Sequence, residues 1–247
     1  MMPEASTLDV FREAVAQDLA LLVDLHDREL DDALLGAVRA RGFPEAMGLL
    51  PRRAETVAAL AFVRESMDRF GTTLSPGERD VHAVDYAAIY LTHSLSASPC
   101  ESVWCDEEGL AMQAPMFEVR AWYRRHGLGS ADWRVRSDDH LCLQLGFLVY
   151  LVRQEGVAPL HEACAFMDAH LLRWLPRFAA RVSHRCDTAF YAGLAMLTAA
   201  YCEELRDILA ELLGMPRPEP EAAGKQVRPA TAPEMPVRYL PGVAPSW

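Results

Sequence analysis

The sequence predicts an all-α protein: a single bundle of roughly 8–11 helices followed by a proline-rich C-terminal tail. Three observations carry this. Apolar residues recur at spacings of three and four almost throughout, the period of a helix with one buried face. No strand-like alternation of useful length appears. Eight of the sixteen prolines fall after Gly214, where a packed helix cannot continue.

The elements follow in order. Val10, Val15, Leu19, Leu22 and Val23 mark an amphipathic helix over about 8–25. A second is expected over roughly 28–41, with Asp27 as its N-cap and Gly42 and Pro44 as its stop signal. Val57, Leu60, Val63 and Met67 predict a third over about 54–70. Ser75, Pro76 and Glu78 combine an N-cap, a proline at the first helical position and a capping-box glutamate, opening a helix that runs to about Thr92. A long loop through Ser98, Pro99 and Gly109 follows. Pro115 opens a short helix carrying Met116, Val119, Trp122 and Tyr123. Ser137 is expected to cap the next helix, with Asp138 and Asp139 in its first turn against the positive dipole end. Helical patterns resume at about 160–172 and 174–184. A last long helix runs from Asp187 to near Leu213, with Gly214 as its C′ residue. Residues 1–213 therefore form the helical domain and 214–247 an extended or disordered tail. Val237, Tyr239, Leu240, Val243 and Trp247 leave open whether that tail docks on the body.

Composition narrows the function classes. The 247 residues are 51% hydrophobic, enough for a full core in one domain. The net charge of −11 disfavours nucleic acid, whose phosphates need Lys and Arg, and favours encounter with a basic partner. The longest apolar stretch, Leu141 to Val152, is interrupted by Gln144 and too short to span a bilayer, so no membrane insertion is expected. The N-terminus lacks a basic region and an apolar signal core. The six cysteines form no C-x-x-C pair, and buried, reduced thiols and a cytoplasmic location are the expectation.

Candidate chemistry is sparse. No phosphate-binding loop, dinucleotide fingerprint or nucleophile elbow occurs. Asp138-Asp139-His140 suits a helix cap, a ligand-binding cluster or part of a metal site. His26-Asp27 resembles the doublet of helical metal-dependent hydrolases, although Asp27 also serves as a cap. His161 and His170 lie nine residues apart, on opposite sides of a helix. Trp122, Tyr123, Met112 and Met116 suit core packing first and an apolar pocket second.

Several pieces, in this order and spacing, resemble one family. Tyr86-x-x-Ile89-Tyr90 is similar to its Y-x-x-L-F, and Ala97–Val103 (ASPCESV) to its A-S-P-Y-E-S-V. The D-E-E-G-L run from Asp106 to Leu110 follows. Arg136 to His140 resembles its P-x-D-H helix start, and His170–Ala179 and Phe190-Tyr191 also fit. The chain resembles the TorD/DmsD/NarJ group of chaperones for molybdenum-cofactor oxidoreductases, in its TorD-like branch, over roughly residues 80–213. It departs at Ser137, Cys100, Ile89-Tyr90 and Gln113.

The resemblance implies an all-helical chaperone, not an enzyme, with no resident cofactor or metal. Such a chaperone binds the twin-arginine leader, or a similar N-terminal segment, of its client's catalytic subunit until the molybdopterin cofactor is inserted, before export or assembly. It implies leader binding by the Y-x-x-L-F, S-P and D-H positions. Some members bind guanine nucleotides weakly, and helical proteins of this type occur as monomers or domain-swapped dimers; the loop from His93 to Ala114 is long enough for an exchange. Apolar contacts at Tyr86, Ile89, Tyr90, Pro99 and Trp104 are expected to supply most affinity, since one Leu-sized burial contributes roughly 1.5–3 kcal/mol and an exposed ion pair only about 0.2–1 kcal/mol. Ser98 completes the S-P motif. Glu101, Asp106, Glu107, Asp138 and Asp139 are expected to orient a basic segment, and His140 to donate to a peptide carbonyl. The alternative is a small helical metal-dependent hydrolase using His26-Asp27 or Asp139-His140.

Overall fold

Ser6 opens the first helix by a reciprocal cap: its hydroxyl accepts from Asp9 N at 3.2 Å while the Asp9 carboxylate accepts from Ser6 N at 3.1 Å. Helix α1 runs Thr7–Asp27, two residues longer than its apolar pattern at the C-terminal end, and buries Val15, Leu19, Leu22 and Leu25. The computed structural model describes residues 6–218. Helix α2 spans Asp32–Ala40 and is capped by Asp31, which accepts from Leu34 N at 2.7 Å. The expected cap at Asp27 is thus corrected: Asp27 ends α1, and residues 28–31 connect the two helices.

Helix α3 is Ala54–Asp68. Helix α4, Pro76–Tyr86, starts with the Ser75–Glu78 capping box read from the sequence. It continues without a break into a π-helical turn, Ala87–Leu91. A one-turn helix α5 (Ser102–Cys105) and helix α6 (Ala114–Arg125) follow. Helices α7 (Leu141–Arg153), α8 (Ala158–Phe166), α9 (Leu172–Arg185) and α10 (Ala189–Leu213) complete the fold. A second π turn, Met167–Leu171, joins α8 to α9, so the two segments expected at 160–172 and 174–184 form one continuous rod. Gly214 closes α10 at φ +62°, the left-handed conformation glycine adopts without steric cost.

The long helix α10 packs against α9 on one side and α3 on another, and α1 packs along α7. Gly193 permits the α3–α10 approach: a Cβ there would sit 2.9 Å from both Phe62 and Val63 side-chain atoms. Among the described residues there is no strand, and no helix is long and apolar enough to cross a membrane. By its contacts the chain divides into residues 1–217, which hold every described helix, and 218–247. The tail expected over 214–247 lies, beyond residue 218, outside the described residues.

Candidate peptide-binding cleft

Two sequence motifs meet through a single antiparallel bridge. Leu141 N donates to Pro99 O at 2.8 Å and Glu101 N to Asp139 O at 3.2 Å, pairing Cys100 with His140. Asp139 locks the junction. One carboxylate oxygen accepts from Ser102 N at 2.7 Å and Ser102 Oγ at 2.5 Å, and the other accepts from Ser137 Oγ. Asp139 is fully buried and caps the first turn of α5 from outside that helix. Residues 137–140 form a turn closed by His140 N donating to Ser137 O at 3.0 Å, and the bridge at its end keeps it from continuing as a helix, which corrects the expected Ser137 cap. Helix α7 begins one turn later, with His140 as N-cap: its Nδ1 accepts from Cys142 N at 3.2 Å.

The other expected acidic contacts are also interior. Glu101 is fully buried; Gln144 Nε2 donates to it at 2.9 Å and His170 Nδ1 lies 3.1 Å from its second oxygen. Gln144 also donates to Asp139 O and accepts from Trp174 Nε1 at 3.4 Å. Asp138 is held by the Arg120 guanidinium and the Ser130 hydroxyl, while Tyr123 OH donates to its carbonyl at 3.0 Å. The expectation that Glu101, Asp138 and Asp139 face a basic peptide is therefore corrected: their charges are consumed inside the fold, because a buried carboxylate must be saturated with donors. Asp106 accepts from Glu108 N and Leu110 N in its own turn; Glu107 and Glu108 are exposed.

Beside this junction opens a cleft of about 700 Å³. Tyr86, Tyr90 and Leu91, from the end of α4 and its π turn, form one wall. Ser98 and Cys100 line it from the motif loop, Gly109–Met112 from the following loop, and Val135–Ser137 with His140 from the α7 approach. Leu91 and Val135 are 65% and 85% exposed at its lining, an apolar rim without a partner among the described residues. The lining contains Arg136, Arg181 and three histidines but no carboxylate. The residues with positive φ other than glycine, among those described, are His93, Ser96 and Met112, and all three line this cleft. Each such conformation costs about 1–2 kcal/mol, so strain is concentrated at this one opening.

Both histidines at the cleft floor are held neutral. Thr198 gives its hydroxyl proton to Leu194 O, so its oxygen accepts from His26 Nε2–H at 2.8 Å; His26 Nδ1 then accepts from Tyr90 OH at 2.5 Å. Burial pushes Tyr90 well above its ordinary value and His26 down to about 3. His140 is likewise pushed to about 3, first by burial and then by the Arg136 charge. With Nδ1 accepting, its proton sits on Nε2, a donor with no partner among the described residues.

Of the ten expected contact residues, Tyr86, Tyr90, Ser98 and His140 line the cleft. Ile89 is in the core, and Pro99 is buried with its carbonyl in the bridge. Trp104 is partly buried outside the cleft, donating Nε1–H to Ser98 O at 2.8 Å beneath Arg177 and Arg181. Sequence reasoning assigned no role at this site to Gln144, His170, Arg136 or Arg181. Gln144 carried a signal, a lone amide inside the apolar α7 run. The arginines repeat at 173, 177, 181 and 185, one helical face.

No disulfide occurs among the described residues. Burial pushes the Cys100 and Cys142 thiols up to about 12, so neither forms thiolate at neutral pH. In a thiol-reagent titration at pH 8, Cys100 and Cys142 are expected to stay silent in the native protein and react only in denaturant. Rapid native labelling at either would contradict their placement.

The metal-site reading is not supported by ligand geometry. Both nitrogens of His26 are used internally, Asp139 is saturated by donors, and among the described residues no three His, Cys, Asp or Glu side chains converge. The nitrate reductase delta subunit family matches residues 58–180. The chaperone protein TorD of Vibrio vulnificus strain YJ016 is 29% identical over 180 residues, covering 70% of this chain and 73% of that protein. TorD of Vibrio cholerae strain M66-2 is 31% identical over 140 residues, 53% of this chain and 63% of its own length. TorD of Aliivibrio fischeri is 24% identical over 209 residues, 78% and 94% respectively. These relatives are named as chaperones, which overturns the hydrolase alternative. With its helical fold and these matches, the chain belongs to the TorD/DmsD/NarJ family of redox-enzyme maturation chaperones.

Proposed function

We propose that this chaperone binds the N-terminal leader, twin-arginine or similar, of a molybdenum-cofactor oxidoreductase's catalytic subunit, and holds it until the cofactor is inserted, before export or assembly. The observation that carries the proposal is the cleft itself: an apolar-rimmed opening walled by Tyr86, Tyr90, Ser98 and His140. Its occupant is the apolar run of the leader. Arginines entering a lining without carboxylates would leave their hydration uncompensated, so they stay outside, with exposed Glu107 and Glu108 beside Gly109 available to them. His140 Nε2–H donates to a peptide carbonyl, and Leu91 and Val135 close over the apolar side chains.

The test has two steps. Affinity capture from the source cells grown without oxygen is expected to recover one molybdoenzyme precursor with its leader intact. The leader peptide is then titrated against Leu91→Glu and Val135→Glu. Losing a Leu-sized contact predicts a loss in affinity of about tenfold or more, with the melting temperature unchanged because both positions are exposed. Unchanged affinity in both variants would remove the cleft from leader binding.

A further inference from the structure

Helix α9 presents Arg173, Arg177, Arg181 and Arg185 and no acidic residue, on a chain whose net charge is −11. Three of the four clamp the motif loop through its carbonyls: Arg177 donates to Trp104 O at 2.5 Å, Arg181 to Ser96 O at 3.0 Å and Arg185 to Leu95 O at 2.8 Å. Only Arg181 of this row also lines the cleft. Its guanidinium lies 5.2 Å from the Trp104 ring, so it is fixed from two directions. The other arginine of the lining, Arg136, is neutralised by Asp27. Arg181 has no carboxylate partner among the described residues, and a carbonyl uses only one of its five N–H donors.

An occupant that fills the cleft strips water from this guanidinium. A purely apolar segment would leave a half-buried cation facing it with nothing to accept its hydrogens, which is costly. A segment bringing a carboxylate satisfies the donors in the planar geometry guanidinium favours. We infer that the cleft selects a client segment carrying an acidic side chain beside its apolar run, and that Arg181 is the residue that takes it. The inference rests on the peptide-cleft reading and adds the chemistry of one position to it. It also gives the cleft a sign: attraction for an acidic flank and exclusion of a basic one.

The test uses the full chain and synthetic fluorescein-labelled peptides, read by anisotropy. The peptides share one apolar run and differ only in a flanking Glu, Gln or Lys, placed in turn at either end. The expected order is Glu tighter than Gln tighter than Lys at one end, with Glu about three- to fivefold over Gln at low salt and less as salt rises. Arg181→Gln should bring the Glu-to-Gln ratio to about one. Arg185→Gln removes a rung of the same clamp away from the cleft and should leave the ratio intact, which separates ion pairing from loop support. Peptides that bind without distinguishing Glu from Gln, or a ratio that survives in Arg181→Gln, would overturn the inference while leaving the cleft reading standing. If no peptide binds at all, the cleft reading falls and takes the inference with it.

Discussion

Asp139→Ala is expected to destabilise the chain by about 3 kcal/mol, as removal of a buried group from a saturated network does. The carboxylate accepts three hydrogens, from Ser102 N, Ser102 Oγ and Ser137 Oγ, and it is fully buried. Alanine strands the Ser102 N–H and both hydroxyls inside the fold. Asparagine keeps an oxygen for Ser102 and turns an N–H₂ toward Ser137, so Asp139→Asn should cost about 1 kcal/mol. Urea unfolding midpoints of the two variants against the parent check this directly. An Asp139→Ala variant as stable as the parent would mean the carboxylate is not locked in this junction. Binding separates structure from contact: Asp139→Asn, still folded, should hold the leader peptide within a few fold. A stable Asn variant that has lost the peptide would show that the carboxylate touches the client after all.

The same junction shows what the amino-acid sequence reveals and what it hides. The helices were legible because burial of one face imposes a period, and Ser75-Pro76-Glu78 marked its start by local hydrogen bonding alone. Ser137-Asp138-Asp139 has an equally good local capping pattern, yet a long-range bridge to Pro99 and Glu101 overrides it and moves the cap to His140. The single rod α8–α9 read as two helices because a π turn at 167–171 shifts the phase of the apolar stripe. That turn carries His170, which meets Glu101 across 69 residues of chain, a pairing no spacing rule exposes. In the cleft, Tyr86, Tyr90, Ser98 and His140 were visible as motif positions. Arg181 was not: the spacing of arginines along one helix face does not reveal that three of them donate to carbonyls of a segment more than seventy residues away.

Acidification is expected to erode stability well above the carboxylate range, through His26 and His140. Both have native values pushed down to about 3, chiefly by burial, against about 6.5 when unfolded. The unfolded chain therefore binds more protons than the native one in that interval. Their contribution is fully present above pH 6.5 and is lost as pH falls through the interval toward 3. Each imidazole adds up to about 1.4 kcal/mol per pH unit to the slope, so together they approach a two-proton dependence between about pH 6 and 4. Asp18 works in the opposite sense: burial raises its carboxyl, so it favours the native state as pH falls, but from the carboxylate range and not from neutrality. Urea unfolding at stepped pH values measures the slope. His140→Ser retains an oxygen to cap α7 while deleting one titrating ring, and should reduce the dependence from about two protons to about one. A flat stability profile between pH 6.5 and 5 would mean that these imidazoles are not buried as described. Because His140 in the folded protein stays neutral until the pH approaches 3, its Nδ1 keeps accepting from Cys142 N at the cleft's edge, and leader affinity of the folded fraction should hold over the interval in which stability falls.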